Sequence, residues 1–218
     1  MSQPRLAELF TVGNRRGAND LYQATTGWLV LLTWPLFLMT IIFGPEVLEL
    51  FGRSYRSGAD VMVVLGFSML LATACGQVDV VLITIGRSSW SLANGLLTLG
   101  VNIGVDVVLI PRDGIMGAAI GWAIAIAVSN LVPLGQLAAA FKLHPFGRAA
   151  ITACGLTTVA FGVIPLLTRV VLGTGPGSVV IAFALGSLVG AAGLWRFRRV
   201  LSLPDISIGR FIRFRSSR

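Results

Sequence analysis

Long apolar stretches separated by short polar breaks occupy residues 28–195 of this chain. Uncharged apolar runs of roughly 18 or more residues are typical of helices that span a bilayer. In hydrocarbon every backbone amide must find its partner within the same segment, which favours helices, and the alternating pattern of a membrane barrel is missing. The pattern therefore predicts an all-α integral membrane protein.

The polar breaks divide the apolar region into a bundle of about six transmembrane helices. The spans are expected at residues 28–43, 61–85, 90–110, 115–139, 149–171 and 178–194. The connections at 86–89 and 112–114 are so short that the helices they join must be antiparallel neighbours. We expect three regions: an amphipathic cytoplasmic segment at 1–27, the membrane bundle at 28–195, and a basic cytoplasmic tail at 196–218.

Basic residues are distributed unevenly between the two sides of the predicted bundle. Thirteen of the 17 Lys and Arg residues fall on the side of the termini, and only Arg53, Arg56, Arg112 and Arg169 fall on the other. Cytoplasmic loops carry the excess of positive charge, so both termini are expected in the cytoplasm. The tail mixes Arg with Phe and Ile, so that it either lies along the inner leaflet or is simply solvated. Arg greatly outnumbers Lys, and the residues Ala, Gly and Val are abundant, a composition that is typical of a GC-rich bacterial genome. The expected location is therefore the bacterial plasma membrane.

Composition and chemistry narrow the function classes further. The chain has 55% hydrophobic and 12% charged residues and a mean hydropathy of +0.85. Its net charge of +8 is concentrated in the tail, which fits topology rather than nucleic-acid binding. Cys75, Cys154 and the lone His144 lack metal-ligand spacing, so neither a metal nor a cofactor is expected. The sequence contains no catalytic or phosphate-loop motif, and we expect no enzyme.

Two carboxylates lie inside predicted spans, where each costs roughly 2.5–3.5 kcal/mol. An antiparallel turn centred near residues 87–88 places Asp79 level with Asn94 and Asp106 level with Ser68. At 1.5 Å per residue the two acids would differ in depth by roughly 15–20 Å, so they cannot share a proton. The expected polar ladder along the second and third spans comprises Asp79, Asn94, Gln77, Asn102, Asp106 and Ser68.

This polar ladder has two interpretations. It lines a hydrophilic path for a substrate, or it forms interhelical hydrogen bonds worth about 0.6 kcal/mol each. Arg87, at the cytoplasmic mouth, would either attract a pyrophosphate or act only as a positive-inside anchor. Glycines spaced four apart at 100 and 104, 117 and 121, and 186 and 190 are expected to let helices approach closely.

Several short motifs occur in a characteristic order between residues 28 and 140. They are LFGRSY at 50–55, GA at 58–59, GR at 86–87, Asn94, VNI at 101–103, LIP at 109–111 and GIMGAA at 114–119. This order resembles the C-terminal half of the oligosaccharide-lipid flippases of the multidrug/oligosaccharidyl-lipid/polysaccharide exporter superfamily. The resemblance implies one six-helix lobe of a two-lobed flippase, a lipid-linked saccharide substrate, and alternating access.

The chain departs from that family in two respects. Relatives carry a second, N-terminal lobe, so a second lobe or another copy of the chain is the expected partner, besides membrane lipids and the lipid-linked saccharide. Relatives also often carry Asn near the position of Asp106. Two alternatives to a flippase remain: a cation-coupled drug or small-molecule antiporter lobe that uses Asp79 or Asp106, and a non-transporting membrane subunit or truncated fragment.

Overall fold

The computed structural model describes residues 2–197, without the side chains of residues 2–5, 53 and 176. All regular secondary structure in that range is helical. The helices are α1 (Ser2–Thr11), α2 (Arg15–Ile42), α3 (Gly44–Glu49), α4 (Ala59–Cys75), α5 (Val78–Thr84), α6 (Ser88–Phe141), α7 (Arg148–Thr158), α8 (Ile164–Leu172) and α9 (Pro176–Phe197). A 3-10 turn, Arg53–Gly58, precedes α4, and a π-helical turn, Val159–Val163, joins α7 to α8.

Five helical segments of the described chain are long and apolar enough to cross a membrane. They are Arg15–Ile42, Ser54–Thr84, Ser88–Phe141, Arg148–Leu172 and Gly177–Phe197. Many of their large apolar side chains are exposed on the outside of the bundle, a surface that lipid solvates and water would not. The expectation of an all-α, multi-pass, membrane-embedded protein is confirmed.

Helix α6 reverses direction near its middle. Its 54 residues would extend about 81 Å if straight, far more than the roughly 30 Å of hydrocarbon in a bilayer. Gly114 breaks the helix with φ +56° and ψ −127°, a conformation open to glycine because it has no Cβ. Beyond the break, Gly117 lies against the backbone of Leu109, and Gly121 lies against the Asp106 carboxylate. The two halves of α6 therefore run side by side as a hairpin.

Helix α2 begins thirteen residues before the expected start of the first span. The Asn14 side chain caps it by accepting a 3.0 Å hydrogen bond from the Gly17 N–H. Ala18 and Tyr22 are buried against α5 and the end of α6, together with Leu6 of α1. The boundary expected between residues 27 and 28 thus falls inside a continuous helix, because small and apolar residues continue the buried face towards Arg15. Beyond Phe197, the predicted basic tail lies outside the described residues.

Helix α2 lies at the centre of the packing, between α4 and α7, while α4 also packs on α6 and α8 packs on α9. Near its beginning, Asn19 and Gln23 bond the loop at His144, and α1 packs alongside. We call this the α1 end of the bundle. Near its other end, Arg169 of α8 donates to the Ile42 carbonyl beside α3. We call this the α3 end.

The glycine pairs differ in what they contact. Besides the pair in the α6 hairpin, Gly186 and Gly190 of α9 lie against Ala160 and Phe161 of the π-helical turn. Close packing is confirmed at both pairs. At Gly100 and Gly104 a Cβ would meet nothing within 4 Å, so no helix of the described chain packs closely on that pair.

Candidate functional site: a polar groove beside a broken helix

The second apolar segment is interrupted between α4 and α5. Gly76, with φ +72° and ψ −161°, ends α4, and α5 starts only at Val78. A Cβ at residue 76 would clash with the Thr26 hydroxyl and crowd the Tyr22 ring, so both the conformation and the space require glycine. A broken helix leaves backbone groups without helical partners, and within a membrane such groups are tolerated in protein or along a water-filled cavity.

Side chains from α2 satisfy and hold this break. The Tyr22 hydroxyl, on a residue that is only 2% exposed, donates to the Cys75 carbonyl. The Gly76 N–H donates to the Thr73 carbonyl at 3.1 Å, and the Trp34 indole N–H donates to the Thr73 hydroxyl at 2.9 Å. The interruption is therefore a packed feature of the fold, fixed from the α2 side.

On its other side the break opens into a groove of about 670 Å³ between α5 and the two halves of α6. Such a volume is within the usual range of ligand cavities. Leucines and small residues form part of the wall. The polar lining side chains are Gln77, Asp79, Ser91, Asn94, Thr98, Ser129 and Asn130.

Asp79 is the ionisable side chain of this lining. Its carboxylate accepts a 2.6 Å hydrogen bond from the Ser91 hydroxyl and remains exposed towards the groove. A carboxylate in this position can still accept a hydrogen bond from a hydroxyl, an ammonium group or the water shell of a cation, because each of its two oxygens has more than one lone pair.

Asn94 holds the two halves of α6 together beside the groove. Its amide donates to Gln136 Oε1 at 2.8 Å and accepts from Gln136 Nε2 at 2.9 Å. Asn94 is only 6% exposed, so these bonds use the amide that sequence reasoning assigned to a substrate path. Its carbonyl accepts from the Thr98 hydroxyl at 2.8 Å, as part of the helix's own bonding.

Three of the seven residues predicted from the sequence, Gln77, Asp79 and Asn94, come together at the groove. The observed pairing differs from the predicted one, because Asp79 accepts a hydrogen bond from Ser91 and does not pair with Asn94. The turn closes at Gly86, where the Arg87 N–H donates to the Leu82 carbonyl, and its centre lies near residue 85. The register is therefore shifted from the expected centre at 87–88.

The other four predicted residues lie outside the groove lining. Ser68 donates to the Leu65 carbonyl of its own helix at 2.7 Å, so it is not the hydrogen-bond partner of Asp106. Asp106 packs against Gly121, and its buried Oδ1 has no hydrogen-bond partner among the described residues. Arg87 is exposed, with its guanidinium 5.0 Å from the Trp90 ring centre. Asn102 is half-buried in α6.

The sequence reasoning missed two polar features. Ser91, Ser129 and Asn130 are short polar side chains that gave no signal until the hairpin brought them to one groove. At the α3 end, Arg169 approaches Glu46 with Nη2 3.8 Å from Oε1 and donates through Nη1 to the Ile42 carbonyl. From the sequence, Arg169 counts only among the basic residues opposite the termini and Glu46 is not considered, although a basic and an acidic residue at span ends are candidates for pairing.

The chain matches no family model, no curated protein and no solved structure.

Proposed function

We propose that the chain is a transporter lobe in the bacterial plasma membrane that passes the headgroup of a lipid-linked saccharide along the groove between α5 and α6. The observation that carries this proposal is the polar groove beside the broken helix. A sugar needs many hydrogen-bonding partners when it leaves water, and the lining of this groove includes hydroxyl, amide and carboxylate groups. Lipid tails cannot form hydrogen bonds with these groups, so a surface that faced only lipid would not need them.

The fold supports a lobe of six spans. The hairpin at Gly114 divides the longest apolar helix into two antiparallel segments, and we infer that these two and the other four apolar segments make six crossings. An even number places both termini on one side, in keeping with the charge asymmetry that favours the cytoplasm. Transporters of this kind rock one bundle against another around a central site. A second lobe or second copy would cover the groove from its open side.

A cation-coupled antiporter is the second candidate, and one observation favours it. Asp79 is the single ionisable residue of the described groove lining, and the basic Arg87 lies outside it. A groove with one carboxylate suits a proton or a metal cation better than a pyrophosphate. The two candidates differ in what the loss of the charge does: ion dependence disappears in an antiporter, whereas a flippase loses affinity for its saccharide.

The first experiment asks whether the groove is wet in the membrane. Cysteines placed singly at Ser91, Thr98 and Ser129 should react with a membrane-impermeant, charged thiol reagent. Ala93 and Leu97 give matched controls, because they are exposed on the same helix but do not line the groove. Their cysteine variants should not react, and the parent chain, whose own cysteines are buried or half-buried, measures the background. Equal labelling of both sets would contradict a hydrophilic groove.

The second experiment measures transport. The full chain in proteoliposomes should move a fluorescent polyprenyl-diphosphate saccharide between leaflets, and Asp79→Asn should slow this about tenfold, since a hydrogen bond to a charged group contributes about 1.5–3 kcal/mol. Asp113→Asn, at the exposed turn of the α6 hairpin, is the control. Substrate exchange that depends on a proton or sodium gradient, and that is lost in the Asp79→Asn variant, would favour the antiporter. A wet groove with neither activity would instead favour a non-transporting subunit.

A further inference from the structure

A second cavity, of about 480 Å³, lies at the α3 end of the bundle, where α3, the 3-10 turn and the beginning of α9 meet. It is separate from the groove between α5 and α6 and shares no lining residue with it. Polar side chains of Glu46, Glu49, Arg56 and Thr174 line it together with Val47, Leu50, Val179 and Val180.

An exposed ion pair forms part of this cavity. Arg56 Nη1 donates to Glu49 Oε1 at 2.8 Å, and the two side chains are 58% and 41% exposed. Exposed pairs contribute only about 0–1 kcal/mol, so a ligand can open this one at little cost. A ligand with a single charge would take one partner and leave the other unpaired. A ligand with both charges replaces the pair with two new ones.

An apolar groove of about 340 Å³ runs close by, between α8 and α9. Its wall is almost entirely aliphatic, with Leu167, Val171, Leu172, Ile181 and Leu185 among its residues. Leu172 lines this groove and Thr174 lines the cavity at the α3 end, which we call the charged cavity. Residues that line the two openings therefore lie close together, with Cα atoms at most about 7 Å apart. A polar site for a headgroup thus adjoins a groove of the right character for an acyl chain.

We propose that the charged cavity and the α8–α9 groove together bind one zwitterionic aminophospholipid. Its phosphate pairs with Arg56, whose planar guanidinium can donate two parallel hydrogen bonds to phosphate oxygens. Its ammonium group pairs with the carboxylate of Glu49, and one acyl chain lies along the α8–α9 groove. This site is independent of the proposed transport of a saccharide and would be present in any of the candidate functions.

The test is a lipid titration of the detergent-purified full chain by native mass spectrometry. The probes are phosphatidylethanolamine, phosphatidylcholine, which has no ammonium N–H to donate, and phosphatidylglycerol, which has no cation. Phosphatidylethanolamine should bind about tenfold more tightly than either of the others, because only its headgroup forms hydrogen bonds with both members of the ion pair. Equal affinity for the three lipids would overturn the headgroup assignment.

Three variants locate the site. Glu49→Gln should abolish the preference, so that phosphatidylethanolamine and phosphatidylcholine bind this variant equally, whereas Arg56→Gln should weaken both. Leu185→Trp, which fills the α8–α9 groove, should weaken all three lipids alike. Glu8→Gln in α1 is exposed and lies at the far end of the bundle, so its affinities should equal those of the parent. A preference for phosphatidylethanolamine that survives Glu49→Gln would place the lipid elsewhere and overturn the proposal.

Discussion

Asn94 and Gln136 exchange two amide hydrogen bonds, of 2.8 and 2.9 Å, although 42 residues separate them in sequence. Their contact joins the two halves of α6 at a point far from the reversal at Gly114, so the two halves remain side by side over most of their length. A reciprocal amide pair satisfies a donor and an acceptor on each side chain at once. Removing one partner leaves the other with polar atoms that have lost their bonds inside the bundle.

Replacing either amide by leucine should therefore destabilise the protein by about 1–2 kcal/mol, towards the upper end of the values for hydrogen bonds in membrane proteins. The double variant Asn94→Leu/Gln136→Leu should lose less than the two single variants added together, because no unpaired amide remains. Reversible unfolding in mixed detergent micelles measures all three. Strict additivity would show that the two side chains do not depend on each other.

Gly117→Ala should open the α6 hairpin, because a Cβ there would collide with the backbone of Leu109, which cannot rotate away as a side chain could. We expect a loss of about 1–3 kcal/mol in the free energy of unfolding. Gly100→Ala, in the same helix but with nothing within 4 Å, is the matched control and should be neutral or stabilising by up to about 1 kcal/mol. Thermal unfolding in detergent compares them, and an equal loss in both variants would contradict the close approach.

Gly76→Ala should damage both the fold and the groove, since residue 76 combines a positive φ with contact to Thr26. Gly173→Ala isolates the conformational part of this cost. Gly173 has similar backbone angles, φ +77° and ψ −167°, yet has nothing within 4 Å, so alanine there should cost only the conformational strain of about 1–3 kcal/mol. We expect a clearly larger loss of thermal stability for Gly76→Ala, accompanied by altered thiol labelling at Ser91→Cys. Similar losses at the two positions would mean that the α2 contact is unimportant.

Arg169→Gln should destabilise the α3 end more than Glu46→Gln does. Without the guanidinium, the Ile42 carbonyl loses its donor. The Glu46 carboxylate, whose buried oxygens have no hydrogen-bond partner within the described part of the chain, loses the positive charge that lies 3.8 Å away. The cost should be about 2–3 kcal/mol, below the range for fully buried pairs because Arg169 is 30% exposed. Glu46→Gln leaves the bond to Ile42 in place and should cost less than about 1 kcal/mol. Chemical unfolding ranks the two, and the reverse order would contradict the role of Arg169.

The apolar segments of this chain could be located from the sequence to within a few residues at most ends. The expected break between the third and fourth spans at 112–114 coincides with the reversal at Gly114, because a short polar stretch with glycine is a local signal. Helix α2 begins at Arg15, before the span expected from residue 28, and its first turns bury small and polar residues, such as Ala18 and Thr26, that hydropathy does not register.

The partners of the intramembrane polar residues were the weaker part of the prediction. Counting along an antiparallel pair assumes straight helices and a known turn centre, and both assumptions fail here. Gly76 interrupts one helix, and the turn at Gly86 shifts the register, so Asp79 meets Ser91 instead of Asn94. Gln136 lies outside the two spans that were being compared, so the bond it forms with Asn94 was not considered.

The sequence by itself determined that the protein lies in a membrane and where its apolar segments begin and end, because hydropathy and helix length depend on residues that are neighbours along the chain. It also located the turns at 86–89 and 112–114, whereas the break at Gly76 was not expected. Only the tertiary structure decided which polar side chains share a groove and which charges meet at the α3 end. Those contacts join residues tens of positions apart, and their register depends on breaks in single helices that redirect everything beyond them.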